Sequence, residues 1–414
     1  MIKFNRFLLD NGLRVLVHED KSTPLVAMNV LYDVGSRDED PGLTGLAHLF
    51  EHLMFGGSVN IPEYDLPLQM VGGENNAFTN NDFTNYYLTI PSSNIETGFW
   101  LESDRMLNLD FSQKNLDTQK NVVIEEYNQR YLNQPYGDAI LKLRPMAYKV
   151  HPYRWPTIGM DISHIENIDL DQVKEFFFSH YAPNNAILSL TGNINPDHAF
   201  NLTNKWFGPI EKRNVNERKI PAEPHQNEGR ILTIEKDVPS NALYKVWHIG
   251  PRNSTDFYTL DLLTDLLAGG ESGRLYTELV RDKKLFSEIN AYITSDIDPG
   301  LIFVQGKLMK GIDIQFAEES VNKVINNLPD SDGIKDEMEK VKNKFESSTV
   351  FTNTSILNKA VNLAFCELLG NPELINREVD DYRKVNLDMV NDAITRYFVP
   401  SNCSTLYYKS TRNN

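Results

Sequence analysis

Gly45-Leu46-Ala47-His48-Leu49-Phe50-Glu51-His52-Leu53-Met54-Phe55, closed by Gly56-Gly57, is the stretch from which the rest of the chain can be read. Its apolar residues and the paired glycines after it predict a helix over Thr44–Phe55. Residues i and i+4 share a helix face, so His48 and His52 can meet one metal ion. Glu51, three positions after His48, can reach a water at that ion without being a ligand. The arrangement is HxxEH, the reverse of HExxH. Leu46, Ala47, Leu49, Phe50, Leu53, Met54 and Phe55 make the helix apolar nearly all round, the mark of a buried helix. Two buried imidazoles and a carboxylate need partners. A metal supplies them; the alternative is a hydrogen-bonded core cluster.

A catalytic zinc takes three protein ligands and keeps one position open. Glu125 and Glu126 follow Val122-Val123-Ile124 on a helix predicted from Leu116 to about Leu132. Either can be the third ligand, the other then facing solvent. Two imidazoles and a carboxylate suit one Zn2+ per chain. The chain's two cysteines, Cys366 and Cys403, lie far away in sequence. Glu51 would take a proton from water and pass it to a leaving amine. The expected reaction is metal-assisted hydrolysis, with an amide as the substrate.

Outward from this helix the pattern mixes strands and helices without strict alternation. Strands are predicted over Leu13–Glu19, Pro24–Val34, Ala77–Thr79, Thr84–Ile90 and Ala186–Thr191. Helices are predicted over Tyr64–Val71, Ile95–Leu107 and Asn195–Trp206. The fold class expected is α+β. The pattern lapses from Gly208 to Gly229, where Pro209, Pro221 and Pro224 mark a linker near mid-chain. Across it the sequence echoes itself. Val34-Gly35-Ser36-Arg37 resembles Ile249-Gly250-Pro251-Arg252, and both following helices end on paired glycines, Gly56-Gly57 and Gly269-Gly270. Lys120-Asn121 matches Lys342-Asn343. Two homologous domains follow, each a mixed sheet with helices packed on it: a zinc-binding domain over 1–208, a linker over 209–229 and a non-catalytic domain over 230–414. In the second, His48, Glu51 and His52 fall on Asp261, Thr264 and Asp265, so it lacks the histidine ligands and is not expected to hold the same zinc.

Composition excludes several classes. The 414 residues are 41% hydrophobic and 24% charged, which argues against a disordered chain, a collagen or a coiled-coil rod. Fifty-seven acidic against 41 basic residues give a net charge of −16, which argues against a nucleic-acid partner. No apolar run approaches the length of a membrane helix. Two cysteines and an N-terminus without leader features lead to the expectation of a cytoplasmic location.

These residues resemble the pitrilysin/insulinase zinc peptidases, the inverzincins, and within them the short-chain members similar to the mitochondrial processing peptidase β subunit and its bacterial relatives. The resemblance runs through Asn11-Gly12-Leu13-Arg14-Val15, Gly35-Ser36-Arg37, the HxxEH helix, Asn76-Ala77-Phe78-Thr79, Thr84-Asn85-Tyr86-Tyr87, and His151-Pro152-Tyr153 before Ile158-Gly159. It implies that His48 and His52 are zinc ligands, that Glu51 is the general base and that Glu126, 74 positions after His52, is the third ligand. Several members have another glutamate seven residues earlier, near the metal; Gln119 stands there and brings no charge. Asn76, Ala77, Phe78 and Thr79 would be a substrate-binding edge strand, to which an extended peptide adds by main-chain pairing.

The function implied is a zinc endopeptidase for peptides or flexible segments. Long members carry four such domains as a clamshell, so this chain would be half of one. It would pair with itself or with a similar inactive chain. Arg274 and Tyr276 are readable either as the family's substrate-contacting arginine–tyrosine pair or as structural residues. Two other readings compete: a subunit active only with a partner chain, and a structural subunit of the same fold without peptidase activity.

Overall fold

Six strands of the first part of the chain form one sheet in the computed structural model, which describes residues 1–215 and 217–412. They are β1 (Asn5–Leu8), β2 (Arg14–Glu19), β3 (Leu25–Tyr32), β4 (Glu74–Thr79), β5 (Thr84–Pro91) and β6 (Ala186–Gly192). Their order is β1-β2-β6-β3-β5-β4. β2 and β6 run parallel and the other neighbours antiparallel. The fully buried β6 is a near-continuous apolar run, as a strand covered on both faces should be.

The second sheet contains β7 (Arg230–Lys236), β8 (Ala242–His248), β9 (Phe286–Ile293), β10 (Leu301–Leu308) and β11 (Cys403–Ser410), ordered β7-β11-β8-β10-β9. It repeats the order and orientations of β2-β6-β3-β5-β4, including the single parallel pair, here β7 with β11. The fold is therefore α+β with two like sheets, each clothed by helices. The first helices in the chain are α1 (Leu46–Leu53), α2 (Asp65–Met70), α3 (Ile95–Leu107) and α4 (Gln113–Tyr127). α1 is shorter than the predicted Thr44–Phe55, because Gly45 at φ 94° interrupts helical geometry before Leu46. A π-helical turn, Asn128–Leu132, follows α4.

Packing divides the chain differently from the expected boundaries. One unit comprises 1–127, 155–221 and 350–377; the other comprises 128–154, 222–349 and 378–414. The reason is which apolar faces meet. Leu143, Ala147, Tyr148 and Tyr153 bury themselves with Tyr244, Val246, Leu406 and Tyr408 of the second sheet. Conversely, Leu363 and Ala364 of the helix Ile356–Leu368 pack with Leu16, Leu31, Phe83 and Ile187 of the first sheet. Lys359 on that helix also pairs with Asp20 at 2.6 Å. The stretch read as a linker is anchored at both ends. Arg213 donates to the carbonyls of Tyr181, Met106 and Leu107, and Arg218 pairs with Asp33 and Asp38. Glu223 accepts the main-chain N–H groups of Lys149, Val150 and His151. Those three bonds hold its carboxyl below the ordinary range even though burial alone would raise it.

Leu363→Ala removes a fully buried side chain and should cost about 2–5 kcal/mol. Amide exchange is expected to quicken in β3 and β6 while β8 and β10 keep their protection. Equal quickening in both sheets would contradict the packing of 350–377 with the first sheet.

Candidate metal centre

α1 is two turns long, and its first and last turns carry the two histidines. A helix of eight residues has little stability of its own, so its ends must be held by other parts of the chain. Gly45, its N-cap, has no side chain to cap with. A Cβ there would stand 2.6 Å from the carbonyl oxygen of Ile158, so only glycine fits. Thr44 accepts a hydrogen bond at its Oγ1 from the N–H of Met160 at 2.8 Å, and its hydroxyl also meets His164 Nδ1 at 2.8 Å. The carbonyl of the same Met160 accepts from the Tyr127 hydroxyl at 3.0 Å. One residue's main chain thus ties the entry of α1 to the end of α4.

α4 turns Leu116, Val123 and Tyr127 inward. That choice of face leaves Glu125 exposed and Glu126 half-buried. Glu126 Oε2 lies 3.7 Å from His48 Nε2 and 3.7 Å from His52 Nε2. The two imidazoles stand edge to face, with centroids 5.0 Å apart. One donor atom from each of the three residues lies within 4.8 Å of the others, the one such group among the described residues. Tetrahedral zinc, with bonds of about 2.0–2.1 Å, needs donors roughly 3.3 Å apart. The spacing and the donor chemistry fit that ion with a small inward adjustment. Gln119 is half-buried two turns before Glu126, and among the described residues no hydrogen bond joins its side chain to the cluster.

Glu51 Oε2 accepts a hydrogen bond from Thr79 Oγ1 at 2.5 Å. Sequence reasoning placed Thr79 on a strand but missed this contact, because no local pattern pairs positions 28 apart. Thr79 ends β4, which is the last strand of its sheet; its outer edge pairs with no strand among the described residues. Asn76, Ala77, Phe78 and Thr79 all lie on it. The Ala77 N–H is taken by the side chain of Asn76 at 2.8 Å. Behind α1, Tyr86 and Tyr181 meet hydroxyl to hydroxyl at 3.3 Å. Burial pushes both phenols well up, and the Glu51 carboxylate adds to the effect.

In the second sheet's set of helices, the positions matching His48 and His52 are occupied differently. On the helix Phe257–Ala268, Asp261 accepts from the Tyr382 hydroxyl at 2.5 Å and Asp265 pairs with Lys344 at 2.5 Å. Arg274 is committed to Glu337 at 2.9 Å and to the carbonyl of Asp332.

The family model described as insulinase (peptidase family M16) matches residues 14–158, and that of the peptidase M16 inactive domain matches 167–345. The zinc protease PqqE of Helicobacter pylori is 28% identical over 98% of this chain and 93% of its own length. An uncharacterized zinc protease of Bacillus subtilis, YmxG, is 26% identical over 96% of each chain. The crystal structure of a protease from Helicobacter pylori superposes with a TM-score of 0.92, at 26% identity, covering 99% of this chain and all of that one.

Zinc titration of metal-stripped protein is expected to give one tight site per chain. Glu126→Gln should lose it and Glu125→Gln should keep it. Loss with Glu125→Gln alone would overturn the ligand set.

Proposed function

Because the chain belongs to the insulinase family of peptidases, M16, we propose that it is a zinc-dependent endopeptidase acting on peptides and on flexible segments of proteins. The observation that carries this reading is the convergence of His48, His52 and Glu126 beside Glu51, whose hydroxyl partner Thr79 sits on the sheet edge. His48, His52 and Glu126 would hold the zinc. When bound there, the ion supplies a water whose pKa is lowered to about 7 and a Lewis acid for the scissile carbonyl.

The chain's own residues do the rest. Glu51 takes a proton from the attacking water and returns it to the departing amine. Thr79 donates to one oxygen of that carboxylate and so holds the base in its orientation. The outer edge of β4 receives an extended peptide by strand addition, along Asn76, Ala77, Phe78 and Thr79. A peptide carbonyl displaces the Asn76 side chain from the Ala77 N–H. Thr79 therefore belongs to both tasks: its main chain lies on the substrate edge and its hydroxyl holds the base. Pairing through main chain recognises extended shape more than side chains, which suits a broad range of flexible substrates. The second half, with Asp261 and Asp265 satisfied by protein partners, is the non-catalytic domain in this reading. A second two-domain chain, identical or inactive, would complete the chamber.

Mass-spectrometric cleavage of a mixed peptide pool tests this. The purified chain should cut it, and Glu51→Gln should lower kcat by about 100- to 10,000-fold with zinc still bound. Bound zinc without cleavage would move the reading to a subunit that needs a partner chain, or to one with a structural role.

Thr79→Val keeps the strand but removes the bond to Glu51. A hydrogen bond to a charged group is worth about 1.5–3 kcal/mol, so kcat should fall roughly 10-fold or more. Zinc content should not change. Unaltered kcat would separate Thr79 from the base.

A further inference from the structure

The first turn of α1 receives a carboxylate from outside the helix. Glu39 is 6% exposed. Its Oε2 accepts the N–H of Gly45 at 3.0 Å and its Oε1 accepts the N–H of Ala47 at 2.8 Å. The buried indole of Trp155 donates its one N–H to the carbonyl of Ser36 at 2.9 Å, within the same 36–39 segment. Most helices are capped by the side chain of the N-cap residue itself. Here the close approach of the Ile158 carbonyl excludes any side chain at Gly45, so the cap comes from six residues upstream.

We infer that Glu39 is a positioning residue for the metal centre, acting through the first turn of α1 and tying that turn to the substrate edge. First, the Ala47 N–H that Glu39 holds belongs to the residue next to His48, so a shift of that turn is a shift of a ligand. Second, a carboxylate at a helix N-terminus satisfies N–H groups that lack a partner within the helix and meets the positive end of its dipole. A helix of only two turns depends on such a contact more than a long one does.

Third, the chain just before Glu39 is fastened to the turn that follows β4. Ser36 N–H donates to the carbonyl of Asn80 at 3.1 Å and Arg37 N–H to that of Asn81 at 2.9 Å. The Arg37 guanidinium pairs with Asp82 at 2.9 Å. A Cβ on Gly35 would fall 2.5 Å from the main chain of Asn81, so the two segments touch directly. Residues 35–39 thus set the distance between the histidines and the strand end that carries Thr79. Burial pushes the Glu39 carboxyl well up, and the N–H groups of Ala47 and Gly45 pull it partly back. These contacts stand as geometry whatever ion is bound, but their role in the metal centre rests on the proposed zinc peptidase.

The test compares wild type, Glu39→Gln and Glu39→Ala by chelator competition for zinc, melting of the metal-stripped protein, and kcat and KM on one peptide. Glu39→Ala should weaken zinc by about 10- to 100-fold, the range seen when a group supporting a ligand is removed. Glu39→Gln keeps one acceptor oxygen for one of the two N–H groups, so it should fall between. kcat should drop further than KM rises, because the edge strand keeps its own residues. A lower melting temperature with wild-type zinc affinity and kcat in both variants would overturn the inference and leave Glu39 a merely structural cap. If Glu39→Ala does not fold, Glu39→Gln decides alone by the same measures. A wild type that binds no zinc and cuts no peptide would instead refute the proposed function, and this inference with it.

Discussion

A two-turn helix that cannot stabilise itself must present two imidazoles and a carboxylate to one point, and the surrounding structure follows from that requirement. α1 has no capping side chain of its own, because the Ile158 carbonyl leaves room only for glycine at position 45. Its entry is gripped from two directions: by Glu39 on the N–H groups of Gly45 and Ala47, and by Met160 on Thr44. The grip of Met160 extends to α4, since its carbonyl receives the Tyr127 hydroxyl. Glu126 is therefore adjacent to an anchored residue. Metal-suited donors from two helices far apart in sequence are placed by one main-chain unit, which limits how far they can drift apart. Such support is what separates a site of correct composition from one of correct geometry.

The second sheet shows what the same topology does without the histidines. Its order and orientations repeat those of five strands of the first, and its counterpart helix places Asp261 and Asp265 where the first has His48 and His52. Carboxylates withdrawn from water need compensation. In the second sheet's helices Tyr382 and Lys344 provide it, where the first offers donors that suit a metal. The arginine after each repeated glycine likewise finds a carboxylate in both halves: Arg37 pairs with Asp82, and Arg252 with Glu378. The shared scaffold keeps its structural ion pairs while the chemistry differs by a few side chains. A donor set suited to a metal in one half alone then follows from local side-chain choice and needs no difference in fold.

β4 gives that scaffold an outer edge next to Glu51. Exposed edges invite unwanted pairing, and this one is short. The Asn76 side chain also covers the Ala77 N–H. The same strand delivers Thr79 to Glu51, so the edge and that carboxylate are mechanically one element.

Much of this was legible in the sequence. The i, i+4 spacing of His48 and His52 fixes a shared helix face whatever the packing. Apolar runs and glycine stops marked β3, β6, α3 and the helix after β6 close to their true extents, because those signals are local. Other features belong to the tertiary structure alone. The family resemblance implies Glu126, but the chemistry of two adjacent glutamates does not separate them; the inward packing of Leu116, Val123 and Tyr127 supplies the physical reason that Glu126 faces the histidines. The exchange of 128–154 and 350–377 between the two units depends on which apolar surfaces meet at long range. So do the cap from Glu39 and the bond from Thr79 to Glu51. Helix-start rules look for Ser, Thr, Asp or Asn at the cap itself, and here a backbone contact has removed that option. Periodicity within a segment determines the elements and the histidine pair; contacts between distant segments determine the inward turn of Glu126, the cap from Glu39 and the hold on Glu51.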